Sequence, residues 1–241
     1  MERVGSGTVV ILCGGRGTRL QAEAPSIPKP LVEVGGRPIL WHVIQIFAAQ
    51  GSTRFVLCLG HRGDQIRSFV TGCDWPQGVS VECVETGEDT PTGGRIKLVE
   101  AHLPRETFFA TYADGVADVD VAALREHHLR HGRLATVTVV RPRLQFGVAD
   151  LDGDDEIRGF HEKPRSEHWI NGGFLCLEPG VFGYLREDSV LEREPFEALA
   201  ADGQLRAYRH AGFWECLDTY KDAVSLNDLW ARGPAPWKLW R

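Results

Sequence analysis

The stretch Val9-Val10-Ile11-Leu12-Cys13-Gly14-Gly15-Arg16-Gly17-Thr18-Arg19-Leu20 carries the residue types best suited to chemistry in this chain. Its apolar, β-branched start reads as a buried strand. The run stops at Gly14-Gly15, and Gly17 follows two residues later. Glycines after a strand let the backbone turn sharply and aim its N–H groups into one concavity, which suits anionic oxygen and above all phosphate. The absent Cβ atoms also let a phosphate or a flat base approach the main chain. Arg16 and Arg19 flank the turn and Lys29 lies further along, so the natural counterpart is a phosphate-rich ligand.

Two better-known phosphate loops are excluded. No Gly-Lys pair occurs in the chain, so the pattern G-x-x-x-x-G-K-[ST] is absent. The dinucleotide fingerprint begins at Gly15 and Gly17, but Leu20 stands where its third glycine belongs.

Further along, the apolar run 107–112 delivers Ala113-Asp114-Gly115 at its carboxyl end, where open parallel sheets bind ligands. A carboxylate there fits a hard cation, because Mg²⁺ takes one or two carboxylates plus phosphate oxygens. Gly93-Gly94-Arg95 opens a helix over 96–102 and puts an arginine near its anion-favouring end. In the run 169–177, Asn171-Gly172-Gly173 interrupts a strand, which marks a bulge or a close ligand. With Lys163 as a phosphate cation and Glu162 and Asn171 as hydroxyl partners, this region reads as a sugar-phosphate pocket or, more plainly, as a surface hairpin with a salt bridge. His127 and His131 share a helix face that reads as solvated, lacking a third metal ligand. Asp118-x-Asp120 resembles the metal motif of glycosyltransferases, although Asp120 is well placed to cap the helix that begins at Val121.

These residues need elements to hold them. Strands are predicted over 9–12, 31–34, 55–59, 79–84, 107–112, 134–140, 169–177 and 205–210, with a hairpin over 146–161. Helices are predicted over 39–50, 64–71, 96–102, 119–131, 181–186, 194–201 and 219–230. Strands alternating with helices imply parallel βαβ units, hence an α/β fold. The 241 residues suffice for one large domain, and 43% apolar with 25% charged residues is ordinary for a soluble globular chain. The net charge of −6 argues against non-specific nucleic-acid binding. None of the six cysteines forms a C-x-x-C pair. No apolar run reaches a membrane span and no signal-peptide core is visible, so a cytoplasmic protein with reduced thiols is expected.

G-G-R-G-T-R-L, then P-K-P-L and V-G-G-R-P-I-L, resembles the sugar-1-phosphate nucleotidyltransferases, and among them the glucose-1-phosphate cytidylyltransferases. T-G-G-R (92–95), Y-A-D-G-V (112–116), F-G (146–147), E-K-P (162–164), I-N-G-G-F (170–174) and F-W-x-x-x-D-T (213–219) continue the likeness. Ala113 replaces a glycine of the family pattern, and the segment 84–95 is short for a cytidylyltransferase. The resemblance implies a Rossmann-like, doubly wound, mostly parallel sheet with an appended β-rich sugar-binding region. It divides the single domain 8–241 into a nucleotide half (8–132) and a sugar-phosphate half (133–241). It implies CTP or another NTP and a sugar 1-phosphate as partners, Mg²⁺ as cofactor, a homo-oligomer, and neither nucleic acid nor membrane. Catalysis falls to Arg19, Lys29 and Asp114. Nucleotide contacts fall to Leu12, Gly14, Gly15, Gly17, Thr18, Arg19, Lys29, Gly94 and Arg95, with Arg95 at the base. Sugar-phosphate contacts fall to Tyr112, Gly147, Glu162, Lys163, Asn171, Gly172 and Trp214, and Mg²⁺ to Asp114 and Asp218. The implied reaction is transfer of the nucleotidyl group from CTP to α-D-glucose 1-phosphate, giving CDP-glucose and pyrophosphate. UTP or dTTP, another hexose or heptose 1-phosphate, a glycosyltransferase and a non-catalytic binder stay open as alternatives.

Overall fold

The computed structural model describes residues 7–17 and 27–240. Thr18 and Arg19 lie outside the described residues. The strands are β1 (Thr8–Leu12), β2 (Glu33–Val34), β3 (Arg37–Pro38), β4 (Arg54–Leu59), β5 (Ser80–Glu85), β6 (Phe108–Tyr112), β7 (Gly115–Ala117), β8 (Ala135–Val140), β9 (Val148–Leu151), β10 (Ile157–His161), β11 (Ile170–Leu177), β12 (Leu205–Arg209) and β13 (Trp214–Cys216). The α-helices are α1 (Ile39–Ala48), α2 (Gly63–Thr71), α3 (Thr92–Leu98), α4 (Val121–His131), α5 (Glu194–Ala201) and α6 (Tyr220–Ala231).

Seven strands form one sheet in the order β12-β8-β11-β6-β1-β4-β5. β1 runs parallel to β4 and β6, β4 to β5, and β12 to β8; β11 is antiparallel to both neighbours. The mixed α/β fold with a mostly parallel sheet is therefore present. Strands from the first half of the chain occupy one side of the sheet and those from the second half the other, meeting at β6 and β11.

Covered on both faces, the central strands are apolar at nearly every position, as buried parallel strands are. Val9 and Ile11 enter one core with Phe55, Leu57, Phe109, α1 and Leu226 of α6. Val10 enters the other with Val56, Phe108, Ile96 of α3 and Leu199 of α5. The last residues, from Gly233-Pro234-Ala235-Pro236-Trp237 onward, are rich in Pro and Trp. This tail enters the first core: Trp237 is fully buried, its Nε1 donates to His42 Nδ1 at 3.3 Å, and Phe213 stacks on it. His42 Nε2 donates to Val34 O at 2.8 Å, and burial lowers the imidazole pKa to about 4.

Several boundaries differ from expectation. α3 begins at Thr92, so Gly93, Gly94 and Arg95 lie inside the helix rather than before it. A close fit explains the glycines: a Cβ on Gly94 would sit 2.0 Å from Glu187 O, and one on Gly93 2.8 Å from Ser189 O. Of the run 31–34, Leu31 ends the 3₁₀ turn Lys29–Leu31 that follows Pro28, and the strand is shortened to β2, Glu33–Val34. The segment expected as a helix over 181–186 is the 3₁₀ helix Pro179–Tyr184. Asp218 does not cap α6. Thr219 does, with Asp222 completing a capping box, which leaves Asp218 one residue before the cap.

Candidate active site

β1 ends at Leu12 and the chain turns through Gly14 to Gly17 into a cavity of about 440 Å³. Leu12, Gly14, Gly15, Gly17, Lys29, Arg95, Tyr112 and Asp114 line it. The turn is held by main-chain bonds, Cys13 N–H to Cys58 O at 3.0 Å and His61 N–H to Gly14 O at 3.2 Å. Gly17 has φ +60°, and a Cβ there would lie 2.9 Å from Lys29 Cβ. Both facts call for glycine.

Arg95 stands under this turn, 4% exposed. Its Nη1 donates to Leu59 O at 3.0 Å, Thr86 Oγ1 at 2.7 Å and Gly87 O at 2.8 Å; its Nη2 donates to Gly14 O at 3.0 Å and Glu88 O at 3.1 Å. A Cβ on Gly14 would sit 2.0 Å from Nη1, so that glycine admits the arginine. The guanidinium thus satisfies a ring of protein oxygens and ties the glycine turn to the loop 86–88. That geometry differs from the expected base contact, because these donors are already committed. Gly94 likewise gives its N–H to Ser189 O at 3.0 Å. At the mouth, Arg16 Nη2 reaches Asp89 Oδ1 at 2.9 Å and Glu88 Oε1 at 3.2 Å.

The charged centre is built from three distant segments. β7 pairs antiparallel with β13, Gly115 opposite Cys216, and Leu217 N–H donates to Asp114 O at 2.9 Å. This pairing brings Asp114 and Asp218 together. Lys29, on its 3₁₀ turn, places Nζ 2.6 Å from Asp114 Oδ2 and 2.8 Å from Asp218 Oδ1. Burial disfavours the ammonium, but the field of Asp114 and the hydrogen bonds it donates to both carboxylates outweigh this and hold the lysine pKa above its usual value. Beside them Cys216 stays a neutral thiol, pushed up by burial and then by Asp114. Two carboxylates converging on one cation, next to a phosphate-sized turn, form a hard-oxygen donor set of the kind Mg²⁺ uses.

A polar chain leaves this centre towards β11. Tyr112 OH donates to Glu192, Asn171 Nδ2 donates to Tyr112 OH at 2.9 Å, and Gly173 N–H donates to Asn171 Oδ1 at 2.9 Å. Trp214 Nε1 donates to Gly172 O at 2.8 Å. The register of β11 shifts between Asn171 and Leu175, which is the bulge that Asn-Gly-Gly announced. Burial, then Glu192, pushes the Tyr112 phenol well up. Tyr112, Asn171, Gly172 and Trp214 therefore form one group. Gly147, Glu162 and Lys163 form another at the base of the β9–β10 hairpin: Lys163 Nζ pairs with Glu162 Oε1 at 2.9 Å, and a Cβ on Gly147 would meet Phe160 Cζ at 2.5 Å. Glu162 and Lys163 are exposed, Gly147 is half-buried, and none of the three lines the cavity.

Glu192 was not foreseen. Its Oε2 accepts from Thr92 Oγ1 at 2.7 Å, so one carboxylate joins the start of α3 to Tyr112. It lies in an irregular segment with no motif around it. The Asp118-x-Asp120 pair is structural: Asp118 Oδ1 accepts from Phe213 N–H at 2.7 Å and Asp120 caps α4. No cluster of three or more His, Cys, Asp or Glu suited to a metal occurs among the described residues, and no helix among them is long and apolar enough to cross a membrane.

A family model described as nucleotidyl transferase matches residues 8–227. A Bacillus subtilis protein named "Probable glucose-1-phosphate cytidylyltransferase" is 39% identical, the match covering 96% of this chain and 99% of that one. The Salmonella typhi glucose-1-phosphate cytidylyltransferase is 38% identical, with 96% and 98% covered. Among solved structures, HddC from Yersinia pseudotuberculosis superposes with a TM-score of 0.74 at 24% identity, covering 92% of this chain and 98% of that one, which is a likeness of fold.

Proposed function

The chain belongs to the nucleotidyl transferase family, and from that premise we propose that it joins the cytidylyl group of CTP to α-D-glucose 1-phosphate, releasing pyrophosphate and forming CDP-glucose. The observation that carries the reading is the Lys29 ammonium held between Asp114 and Asp218 at the edge of the glycine-lined cavity. In this reaction a sugar-phosphate oxygen attacks the α-phosphorus in line, and charge builds on the phosphate oxygens. Positioning and charge stabilisation are what a protein contributes to such a step.

The glycine turn seats the triphosphate, with Arg95 fixing its shape from below. Asp114 and Asp218 would hold Mg²⁺, which when bound supplies positive charge to the phosphate oxygens. Lys29, released from the two carboxylates, has the α-phosphate as its new partner. Arg19 is assigned to the pyrophosphate side. Tyr112, Asn171, Gly172 and Trp214 form the wall for the sugar, and Lys163 with Glu162 at the hairpin closes on the sugar phosphate. Self-association belongs to the same reading: Phe146, Leu151, Ile157 and Phe160 on and beside the hairpin are 81%, 62%, 59% and 64% exposed, an apolar surface that a second copy can cover.

Pyrophosphate release with Mg²⁺ tests the reading, crossing CTP, UTP, dTTP, ATP and GTP with a panel of sugar 1-phosphates. Release with CTP and glucose 1-phosphate is expected. Release with a different pair would overturn the specificity and keep the chemistry. No release from any pair would overturn both. Sedimentation as a monomer at all concentrations would remove the self-association.

A further inference from the structure

Outside the active site, an unusual concentration of positive charge lines a cavity of about 300 Å³ between the exit of β8, the segment after β10, β13 and α6. Arg143 and Arg165 face each other there across an isolated antiparallel bridge. Leu144 N–H donates to Pro164 O at 2.8 Å and Ser166 N–H donates to Pro142 O at 2.8 Å. Those flanking bonds make Arg143 and Arg165 a non-hydrogen-bonded pair, the closer of the two cross-strand geometries. Like charges directly opposite are destabilising. Neither arginine makes an ion pair among the described residues. Arg141 is a third arginine of the lining, its guanidinium held by two donations to Glu167 O (Nε 3.3 Å, Nη2 2.7 Å) and by its place over the Trp169 ring.

Opposing charge in the cavity is slight. Glu215 is the one acid among the described lining residues, and burial and then Asp222 push its carboxyl upward against Arg143. His210, also in the lining, is already engaged, its Nε2 lying 2.9 Å from Asp118 Oδ1 and 3.0 Å from Phe213 O. Two arginines directly opposite each other at the closer cross-strand spacing, with Arg141 also in the lining, carry the planar donor groups that bind oxyanions of phosphorus in bidentate fashion. The volume admits a phosphate or diphosphate group and falls at the small end of ligand pockets.

We propose that this arginine cavity is a second anion site, separate from the glycine turn, that binds a phosphate or diphosphate group between Arg143 and Arg165. Trp214 closes it on one side and donates to Gly172 O, so an occupant lies one side chain from the β11 bulge. The diphosphate is either free or borne on a nucleotide sugar.

Equilibrium dialysis with labelled inorganic pyrophosphate, and separately with inorganic phosphate, tests this on the whole chain. Pyrophosphate also fits the glycine turn, so the readout is a difference between proteins. Wild type is expected to bind one equivalent more than the Arg143→Gln/Arg165→Gln double variant, and Arg143→Lys/Arg165→Lys to keep part of that binding with weaker affinity. Turnover without added anion is expected to be unchanged in the double variant, and circular dichroism reports its folding. Should the double variant not fold, each single Gln variant is expected to weaken the extra equivalent about tenfold or more, the loss of one charged bidentate partner. Displacement of that equivalent by CDP-glucose identifies a nucleotide-borne diphosphate, and failure to displace it identifies the free anion. Equal stoichiometry and affinity in wild type and all Gln variants would overturn the proposal.

Discussion

The glycine turn and the β9–β10 hairpin are both assigned to phosphate, yet they are built in opposite ways. At the turn, cations are committed before a ligand arrives: Arg95 is buried on five oxygens and Lys29 is clamped by two carboxylates. At the hairpin, Lys163 is exposed and paired only with its sequence neighbour, on a two-stranded ribbon outside the main sheet. A two-stranded ribbon is marginal by itself in water. The difference teaches where preorganisation resides. At the turn Arg95 fixes the backbone in advance and Lys29 is already ordered when it exchanges its carboxylates for phosphate, whereas an exposed cation orders only when the substrate arrives.

The largest test of that contrast is Lys29→Ala. It is expected to lower kcat by about 10²–10³-fold, on the order of 3–4 kcal/mol of transition-state stabilisation, with Tm shifting far less than activity. Steady-state kinetics with CTP and glucose 1-phosphate measure it, and near-normal turnover would remove Lys29 from the reaction.

Arg95→Met comes next. It removes five hydrogen bonds donated by a charged group, of a kind that contributes about 1.5–3 kcal/mol each where buried, while Leu59 O and Gly14 O keep donors from Thr86 and His61. A loss of about 2–4 kcal/mol in urea unfolding is expected, together with a raised KM for the nucleotide. If stability held and only base preference changed, Arg95 would be a base reader after all.

His42 probes the core beneath the turn. Its folded pKa of about 4 lies below the ordinary imidazole value of 6.5. Between those values the unfolded chain takes up a proton that the native chain refuses. The His42 contribution to stability is therefore full above about pH 6.5, falls by about 1.4 kcal/mol per pH unit as pH drops, and levels off below about pH 4. Denaturant titrations across that window should show a shallower slope in His42→Gln than in wild type.

Lys163→Ala is the smallest expected change. On the hairpin it should raise KM for the sugar phosphate about tenfold and alter stability by less than about 0.5 kcal/mol, as exposed surface positions do. A stability loss equal to that of Arg95→Met would erase the distinction between the two regions.

Much of this was legible in the sequence for identifiable reasons. The central strands announce themselves because both sheet faces are covered, so Phe55-Val56-Leu57-Cys58-Leu59 is apolar throughout. Asn171-Gly172-Gly173 signalled a bulge because glycine is poorly suited to a regular strand, and the register shift lies there. What the sequence hid was set by tertiary partners. Nothing local shows that Arg95 turns inward, since its acceptors come from residues 14, 59, 86, 87 and 88. Gly93 and Gly94 read as a loop because close packing against 187–191 and a flexible hinge call for the same residue. Asp and Thr both serve as helix caps, so Asp218-Thr219 alone does not say which one caps α6; the place falls to Thr219. Glu192 carried no pattern, its partners Thr92 and Tyr112 being distant in sequence.

Trp237 bears on the order in which this molecule can be completed during synthesis. Its indole fills space beside His42 on α1, Phe213 and Trp230, and it is fully buried. The face of α1 that it covers emerges early in translation and waits for a residue made almost two hundred positions later. Contacts of such sequence separation slow folding and leave apolar surface open in the interval. Cys13, which opens the glycine turn and lines the cavity, belongs to this same core, so the cavity's support is complete only when the tail is inserted.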